Sequence, residues 1–164
     1  LVSKPSKGLE MDGVTNYIKL PSMTMDSVEI DCLIDSVQNG TYFMDARMGL
    51  ASGHFWTDGN GVNARGTGFS TIVVEGVEST LSSGLSVPLN QRCKLKAISG
   101  TPFTDDVNVF SGSTETAKKK GTLYGVKCYL NGQVVAEYDF TKENAKANSV
   151  LFGQKSWGTK LAKR

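Results

Sequence analysis

Long apolar runs, proline and net charge are all scarce in this sequence of 164 residues. A membrane-spanning helix needs about 18 or more consecutive apolar residues, and no segment approaches that length. The first eight residues, LVSKPSKG, also lack the apolar stretch of a signal peptide. We therefore expect a soluble protein with no membrane insertion.

The formal net charge of +2 is too small to indicate a nucleic-acid partner. The basic residues form no stripe interleaved with aromatic residues, which is the pattern typical of nucleic-acid-binding surfaces. The densest basic run, KKK at residues 118–120, is interpreted as a solvated loop. No nucleic-acid partner is therefore expected.

Histidine and cysteine are too few for most metal and nucleophile chemistry. His54 is the only histidine, so any Ser-His-Asp or Cys-His arrangement would have to include it, and the chain has no GxSxG motif. One histidine and three scattered cysteines form no zinc pattern. Cys32, Cys93 and Cys128 each share a strand parity with apolar neighbours. This predicts free thiols in the core of a protein made in a reducing compartment.

Alternation of apolar and polar residues dominates what is present. In SVEIDCLID, residues 27–35, one face carries apolar residues and cysteine, while the other is mainly acidic. Asn131 and Gly132 supply the two positive-φ residues that a type I′ hairpin turn requires. Only TKENAKAN at 141–148 could form a short helix. The sequence predicts an all-β fold, an antiparallel β-sandwich of two packed sheets with under about a tenth of its residues in helix.

The length fits one domain with one core. Because there is no internal repeat and no linker, residues 1–164 are expected to form a single domain. Residues 1–7 are its N-terminal extension and residues 156–164 are its basic C-terminal tail. The glycine-rich segment 57–68, TDGNGVNARGTG, is predicted to be a surface loop, because so many conformationally free residues would weaken a strand.

Four stretches together resemble a known family. They are GLEMDGVTNYIKLPS at 8–22, SVEIDCLID at 27–35, YFMDARMG at 42–49 and GTLYGVKCYLNGQVVAEYDF at 121–140. In order and spacing they are similar to the laminin-G-like, concanavalin A-like jelly roll, and the hairpin in the last stretch is most similar to modules of bacteriophage and prophage structural proteins. The resemblance covers residues 8 to about 155. It implies a jelly roll in a tail, fibre or capsid protein, assembled in bacterial cytoplasm and located in the virion.

The letters EID at 29–31 also begin the E-I-D-x-E strand of β-glucanase jelly rolls, which raises the alternative of a glycoside hydrolase. A retaining glycosidase needs two carboxyl groups about 5 to 5.5 Å apart, yet Leu33 and Ile34 stand where the second one belongs. Asp35 lies about 20 Å from Glu29 along the strand, which is too far for the two carboxyl groups to act together. Glu29 and Asp31 are interpreted as polar residues of an outer strand face. We therefore predict a non-catalytic protein with no glycoside hydrolysis that depends on Glu29.

Aromatic and polar residues near the middle of the chain suit carbohydrate binding. An aromatic ring can stack under a sugar while carboxylates, amides and arginine bind its hydroxyl groups. Strict alternation in TYFMDARMG would put Tyr42, Met44, Ala46 and Met48 in the core and Phe43, Asp45 and Arg47 outside. The predicted carbohydrate-binding residues are Trp56, His54, Asp58, Asn60, Asn63, Arg65, Asp45 and Arg47. In the alternative, Trp56 packs in the core and Asp45 pairs structurally with Arg47.

Two segments contain oxygen atoms that could contact calcium. DGNGVN at 58–63 resembles the first half of an EF-hand loop but has Val62 where an oxygen ligand belongs. Asp105 and Asp106 precede a predicted strand. Both segments are interpreted as solvated loops, so no cofactor is expected.

Fold and resemblance together predict a non-catalytic virion module that binds cell-surface carbohydrate or other virion proteins. A carbohydrate site requires exposed aromatic side chains beside polar groups. An assembly module, including a homo-oligomer, requires a large exposed apolar patch instead. The fold alone does not separate these functions.

Overall fold

The computed structural model describes residues 8–51, 53–57, 63–80 and 85–141. Within these ranges the protein is all-β and contains no helix, as the alternation predicted. No described segment could therefore cross a membrane as a helix. The strands are β1 (Leu9–Asp12), β2 (Ile18–Lys19), β3 (Met23–Leu33), β4 (Tyr42–Asp45), β5 (His54–Thr57), β6 (Asn63–Thr67), β7 (Thr71–Val74), β8 (Val77–Thr80), β9 (Leu85–Ser86), β10 (Cys93–Asp105), β11 (Asn108–Val109), β12 (Lys120–Leu130) and β13 (Gln133–Asp139). The predicted tails and residues 142–148 of the predicted helix lie outside the described ranges.

The strands form two antiparallel sheets. The seven-stranded sheet has the order β1-β12-β3-β10-β7-β8, and β13 also pairs with β12. The six-stranded sheet has the order β2-β11-β4-β5-β6-β9. Neighbouring strands in a sheet are often distant in sequence, so the sheets assemble from both halves of the chain. The two-sheet, single-core antiparallel sandwich confirms the predicted fold class.

The core lies between the inner faces of the two sheets. In β3 and just after it, Val28, Ile30, Cys32 and Ile34 are at most 1 % exposed, which confirms the predicted apolar face of this segment. Full burial of one such aliphatic side chain contributes about 1.5 to 3 kcal/mol. The other face of β3 carries the acidic residues and points away from the core.

The predicted hairpin turn is confirmed. β12 ends at Leu130 and β13 begins at Gln133, so Asn131 and Gly132 are the whole connection. Their φ angles are 51° and 77°, both in the left-handed region that a type I′ turn demands. Asn131 and glycine adopt this region at little cost, which is why the dipeptide determines the turn.

The prediction of strict alternation in TYFMDARMG was wrong at two core positions and at two outer positions, one of which is Asp45, whose side chain is buried. The register shifts between Tyr42 and Met44, where β4 contains one extra residue opposite β5. This bulge turns Phe43 into the core, where it is fully buried, and leaves Tyr42 on the outer face. Met48 is 81 % exposed beyond the strand end, whereas Met44 and Ala46 are buried as predicted.

Two other interpretations of polar segments also require correction. Residues 63–67 of the predicted glycine-rich loop form strand β6, which pairs with β5 and β9. In the KKK run, Lys120 is exposed but Lys119 is fully buried between the sheets. Composition indicated a loop in both cases, and cross-strand pairing and packing decided otherwise.

Candidate functional site

Three ring side chains line up on the outer face of the six-stranded sheet. Tyr42 on β4 lies directly opposite Trp56 on β5, and His54 lies two residues before Trp56 on the same face. The rings of His54 and Trp56 are 4.2 Å apart at their centres and tilted by 33°. The rings of Tyr42 and His54 are 5.8 Å apart at their centres and inclined by 68°, in an edge-type contact. We call Tyr42, His54 and Trp56 the aromatic row.

The aromatic row is half-buried rather than part of the core. Its three members have intermediate exposure, whereas Phe55 and Thr57, which alternate with them on β5, are buried between the sheets. Phe55 contacts Phe43 inside the sandwich at 5.2 Å between ring centres. Trp56 is therefore not a core residue, and its ring lies at the protein surface beside two other rings.

Arg47 extends the aromatic row with a positive charge. Its guanidinium carbon lies 5.2 Å from the centre of the Tyr42 ring, and its side chain is 37 % exposed. The Asp45 carboxylate pairs with Arg47, accepting hydrogen bonds from Arg47 Nε at 2.8 Å and from the Arg47 backbone N–H at 2.9 Å. This pairing raises the pKa of Arg47 above its ordinary value, so the guanidinium remains charged.

Asp45 positions Arg47 but does not itself reach solvent. Its side chain is completely buried, and it also accepts a hydrogen bond from the Ser113 backbone N–H at 2.8 Å. The carboxylate thus joins β4 to the loop that follows β11. The predicted site residues Asp45 and Arg47 form the structural pair named as the alternative, with Arg47 still available at the surface.

The remaining predicted residues fall on or near β6. Arg65 is the cross-strand partner of Trp56, and Asn63 is the partner of Ser86. The backbone pairing therefore brings Arg65 beside the aromatic row. Asp58 and Asn60 lie outside the described residues.

A pocket of about 190 Å³ lies on the outer face of the seven-stranded sheet. The cross-strand partners Lys96, Glu29, Lys127 and Glu137 form one row of alternating charge across four strands. In the next row Lys94, Asp31, Gly125 and Asp139 are partners. Because Gly125 has no side chain, the pocket opens over it between the two aspartates. The sequence signal was an acidic pair two residues apart in both β3 and β13, but only the register shows that they face one pocket.

The carboxylates that line this pocket bear on the glycosidase alternative, because hydrolysis would need two of them as catalytic groups. Asp31 accepts two hydrogen bonds from Arg92, at 3.0 and 2.9 Å, and the Arg92 guanidinium lies 4.2 Å from the centre of the Tyr124 ring. Asp139 accepts hydrogen bonds from the Thr141 backbone N–H and from Thr141 Oγ1. Asp31 and Asp139 thus both accept hydrogen bonds from residues that line the same pocket. Asp35 does not line this pocket.

The predicted calcium contacts at Asp105 and Asp106 lie in a small pocket beside Asn108. Asp105 accepts hydrogen bonds from the backbone N–H groups of Gly49 and Asp106, while Asp106 pairs with Lys19 at 3.2 Å. Burial raises the pKa of Asp105 above its ordinary value. Within the described ranges no group of three or more His, Cys, Asp or Glu is arranged to hold a metal ion. Residues 58–62 of the EF-hand-like segment lie outside those ranges.

Lys119 is a buried charge that sequence reasoning missed. Its Nζ donates hydrogen bonds to Thr41 Oγ1 at 2.7 Å and Thr57 Oγ1 at 2.8 Å, and it lies 4.2 Å from the centre of the Phe43 ring. Burial lowers the pKa of Lys119 to about 7, a change that nearby Cys32 partly opposes. The lysine supports the inner side of β5 directly beneath the aromatic row.

No protein-family model, curated protein or solved structure matches this chain. The resemblance to laminin-G-like phage modules therefore remains a prediction from the sequence.

Proposed function

We propose that this protein is a non-catalytic β-sandwich module that binds carbohydrate at the aromatic row. The observation that carries the proposal is the position of Tyr42, His54 and Trp56 on one solvent-facing strip, beside an arginine whose orientation is set by a buried carboxylate. Half-buried rings on a sheet are held rigid, so they bind a sugar face with little loss of side-chain entropy. Arg47 supplies donors for the sugar's hydroxyl or acidic groups.

The exposed apolar residues favour carbohydrate over a large assembly interface. The large apolar side chains exposed in the described ranges are Val14, Met48, Val77, Val134 and Val135. Val77 on β8 and the two valines on β13 belong to opposite ends of the seven-stranded sheet, and Val14 and Met48 lie in separate loops. They are scattered, whereas an assembly interface needs a contiguous patch.

Resemblance of the C-terminal hairpin to phage and prophage modules supports a virion as the location and a host cell-surface glycan as the ligand. Assembly in bacterial cytoplasm agrees with three free, buried cysteines. Hydrolysis is not part of the proposal, because the pocket aspartates Asp31 and Asp139 accept hydrogen bonds from Arg92 and Thr141.

A glycan array probed with the 164-residue protein tests the proposal, followed by calorimetric titration of the best ligand. We expect Trp56→Ala to weaken binding at least about tenfold, as for a central aromatic contact. Tyr129→Ala is the matched control, since Tyr129 is a half-buried aromatic residue on the seven-stranded sheet and lies under Lys96. Binding that survives Trp56→Ala but is lost in Tyr129→Ala would contradict the proposal.

A further inference from the structure

Two of the three cysteines face each other across adjacent strands. Cys32 on β3 and Cys93 on β10 are cross-strand partners, and both point into the core, where they are at most 1 % exposed. They are free thiols. Cys128 on β12 is also buried, but its strand partners are Val28 and Ala136, so no thiol stands opposite it.

The backbone already has the spacing of a disulfide. Directly opposed residues in an antiparallel pair have Cα atoms about 4.5 or 5.5 Å apart, within the range of about 4.4 to 6.8 Å found for bonded cysteines. Forming a bond between Cys32 and Cys93 therefore requires rotation of side chains and no change of strand register.

We propose that Cys32 and Cys93 form an intramolecular cross-strand disulfide when the protein meets a small-molecule disulfide such as oxidised glutathione. The Cys93 thiolate attacks one sulfur of the oxidant, and one small thiolate leaves. The Cys32 thiolate then attacks the Cys93 sulfur of this mixed disulfide and displaces the second small thiolate. Two protein thiols lose two electrons and two protons, and the oxidant becomes two small thiols.

The order of attack follows from position, because β10 begins at Cys93, directly after the exposed residues 90–92. The interaction between the two thiols agrees with this order, since it lowers the pKa of Cys93 and raises the pKa of Cys32. Burial raises the pKa of Cys128 to about 12, which leaves that thiol unreactive.

Position in the strands provides access for the oxidant. β10 begins at Cys93, directly after the exposed residues 90–92, and β3 ends one residue after Cys32. Both cysteines thus lie at the same end of their strand pair. Fraying of strand ends needs far less free energy than global unfolding, so local opening exposes this pair before the rest of the core.

Peptide mass spectrometry after alkylation tests the proposal. Reduced protein is incubated in a reduced and oxidised glutathione buffer, once folded and once during refolding from denaturant. Free thiols are then alkylated under denaturing conditions. We expect a peptide joining Cys32 to Cys93 and an alkylated Cys128 in at least the refolded sample. Three alkylated cysteines in both samples, or a bond that includes Cys128, would overturn the proposal.

Matched variants distinguish formation of the Cys32–Cys93 bond from oxidation of any cysteine in the protein. Cys128→Ala should still form the bond, and Cys93→Ser should not. The bond closes a chain segment of about 60 residues, so the oxidised protein should melt about 5 to 15 °C higher than the reduced protein. Cys93→Ser should show no such difference between oxidising and reducing buffer. Equal melting temperatures for oxidised and reduced wild-type protein, with the bond present, would contradict the argument that the bond forms without a change of strand register.

Discussion

The outer faces of the two sheets carry different chemistry on similar backbones. The six-stranded sheet presents three adjoining rings and one oriented guanidinium, whereas the seven-stranded sheet presents a row of alternating charge that runs across four of its strands. On the charged face, neighbours such as Lys127 and Glu137, 3.6 Å apart, satisfy one another. On the aromatic face, the three rings of the aromatic row contact one another and Arg47, and their apolar surface stays partly exposed. Partly exposed apolar rings gain more from covering by a ligand than charges that already pair, which is why the proposed binding is to the aromatic face.

The contrast between core and surface is sharpest at two successive residues of β5. Phe55→Ala should lower the free energy of unfolding by about 3 to 5 kcal/mol, because it leaves a cavity between the sheets. Trp56→Ala should cost only about 1 to 2 kcal/mol, because it removes the half-exposed stacking on His54. Urea denaturation followed by fluorescence or circular dichroism measures both. Equal losses would mean that Trp56 belongs to the core and would remove the basis of the aromatic site.

Lys119 beneath the aromatic face predicts a pH dependence. Its pKa is about 7 in the folded protein and 10.5 when unperturbed, so between these values the unfolded chain binds more protons and stability rises with pH. The rise should approach about 1.4 kcal/mol per pH unit, or roughly 2 to 3 kcal/mol from pH 7 to pH 9.

Lys119→Met should remove this pH dependence of stability. The difference between the two stability curves reports Lys119 alone, because the cysteines and tyrosines titrate in both proteins. Because the variant also removes a buried charge, it should be more stable than the wild type at pH 6. Parallel curves for the two proteins across pH 6 to 10 would be inconsistent with a buried ammonium group.

The two aspartate–arginine pairs allow a matched comparison between the faces. Asp45→Asn should cost about 2 kcal/mol, since its side chain is fully buried with Arg47 and the Ser113 N–H. Asp31→Asn should cost less than about 1 kcal/mol, because the Asp31 and Arg92 side chains are 16 % and 45 % exposed and both reach solvent. Denaturation at low and high salt checks the ranking, and only the Asp31 pair should be weakened by salt.

The smallest expected effect is at Glu29. Glu29→Gln should leave carbohydrate binding unchanged, and neither protein should release reducing sugar from β-glucans. Turnover by the wild type that disappears in Glu29→Gln would move the functional site to the charged pocket and revive the glycoside hydrolase alternative.

Parts of this protein were predictable from short stretches of sequence. The alternation in β3 identified its buried face, and Asn131-Gly132 identified a hairpin, because side-chain direction and turn conformation are local properties of the backbone. His54 and Trp56 were predicted as binding residues, with Trp56 in the core as the alternative, and both lie half-buried on the outer face of β5. Tyr42 was missed, since a bulge depends on how β4 meets β5 and has no reliable local signal.

The sequence by itself determined the all-β class, the single core and the buried face of β3, because these follow from alternation, length and turn residues. Only the tertiary structure decided which strands are neighbours. That pairing brings Tyr42 opposite Trp56, Cys32 opposite Cys93, and Asp139 into one pocket with Asp31. It also buries Lys119, which composition alone would assign to solvent. The physical reason is that a sheet joins residues far apart in the chain through backbone hydrogen bonds, whose register is set by the whole core and not by any one segment.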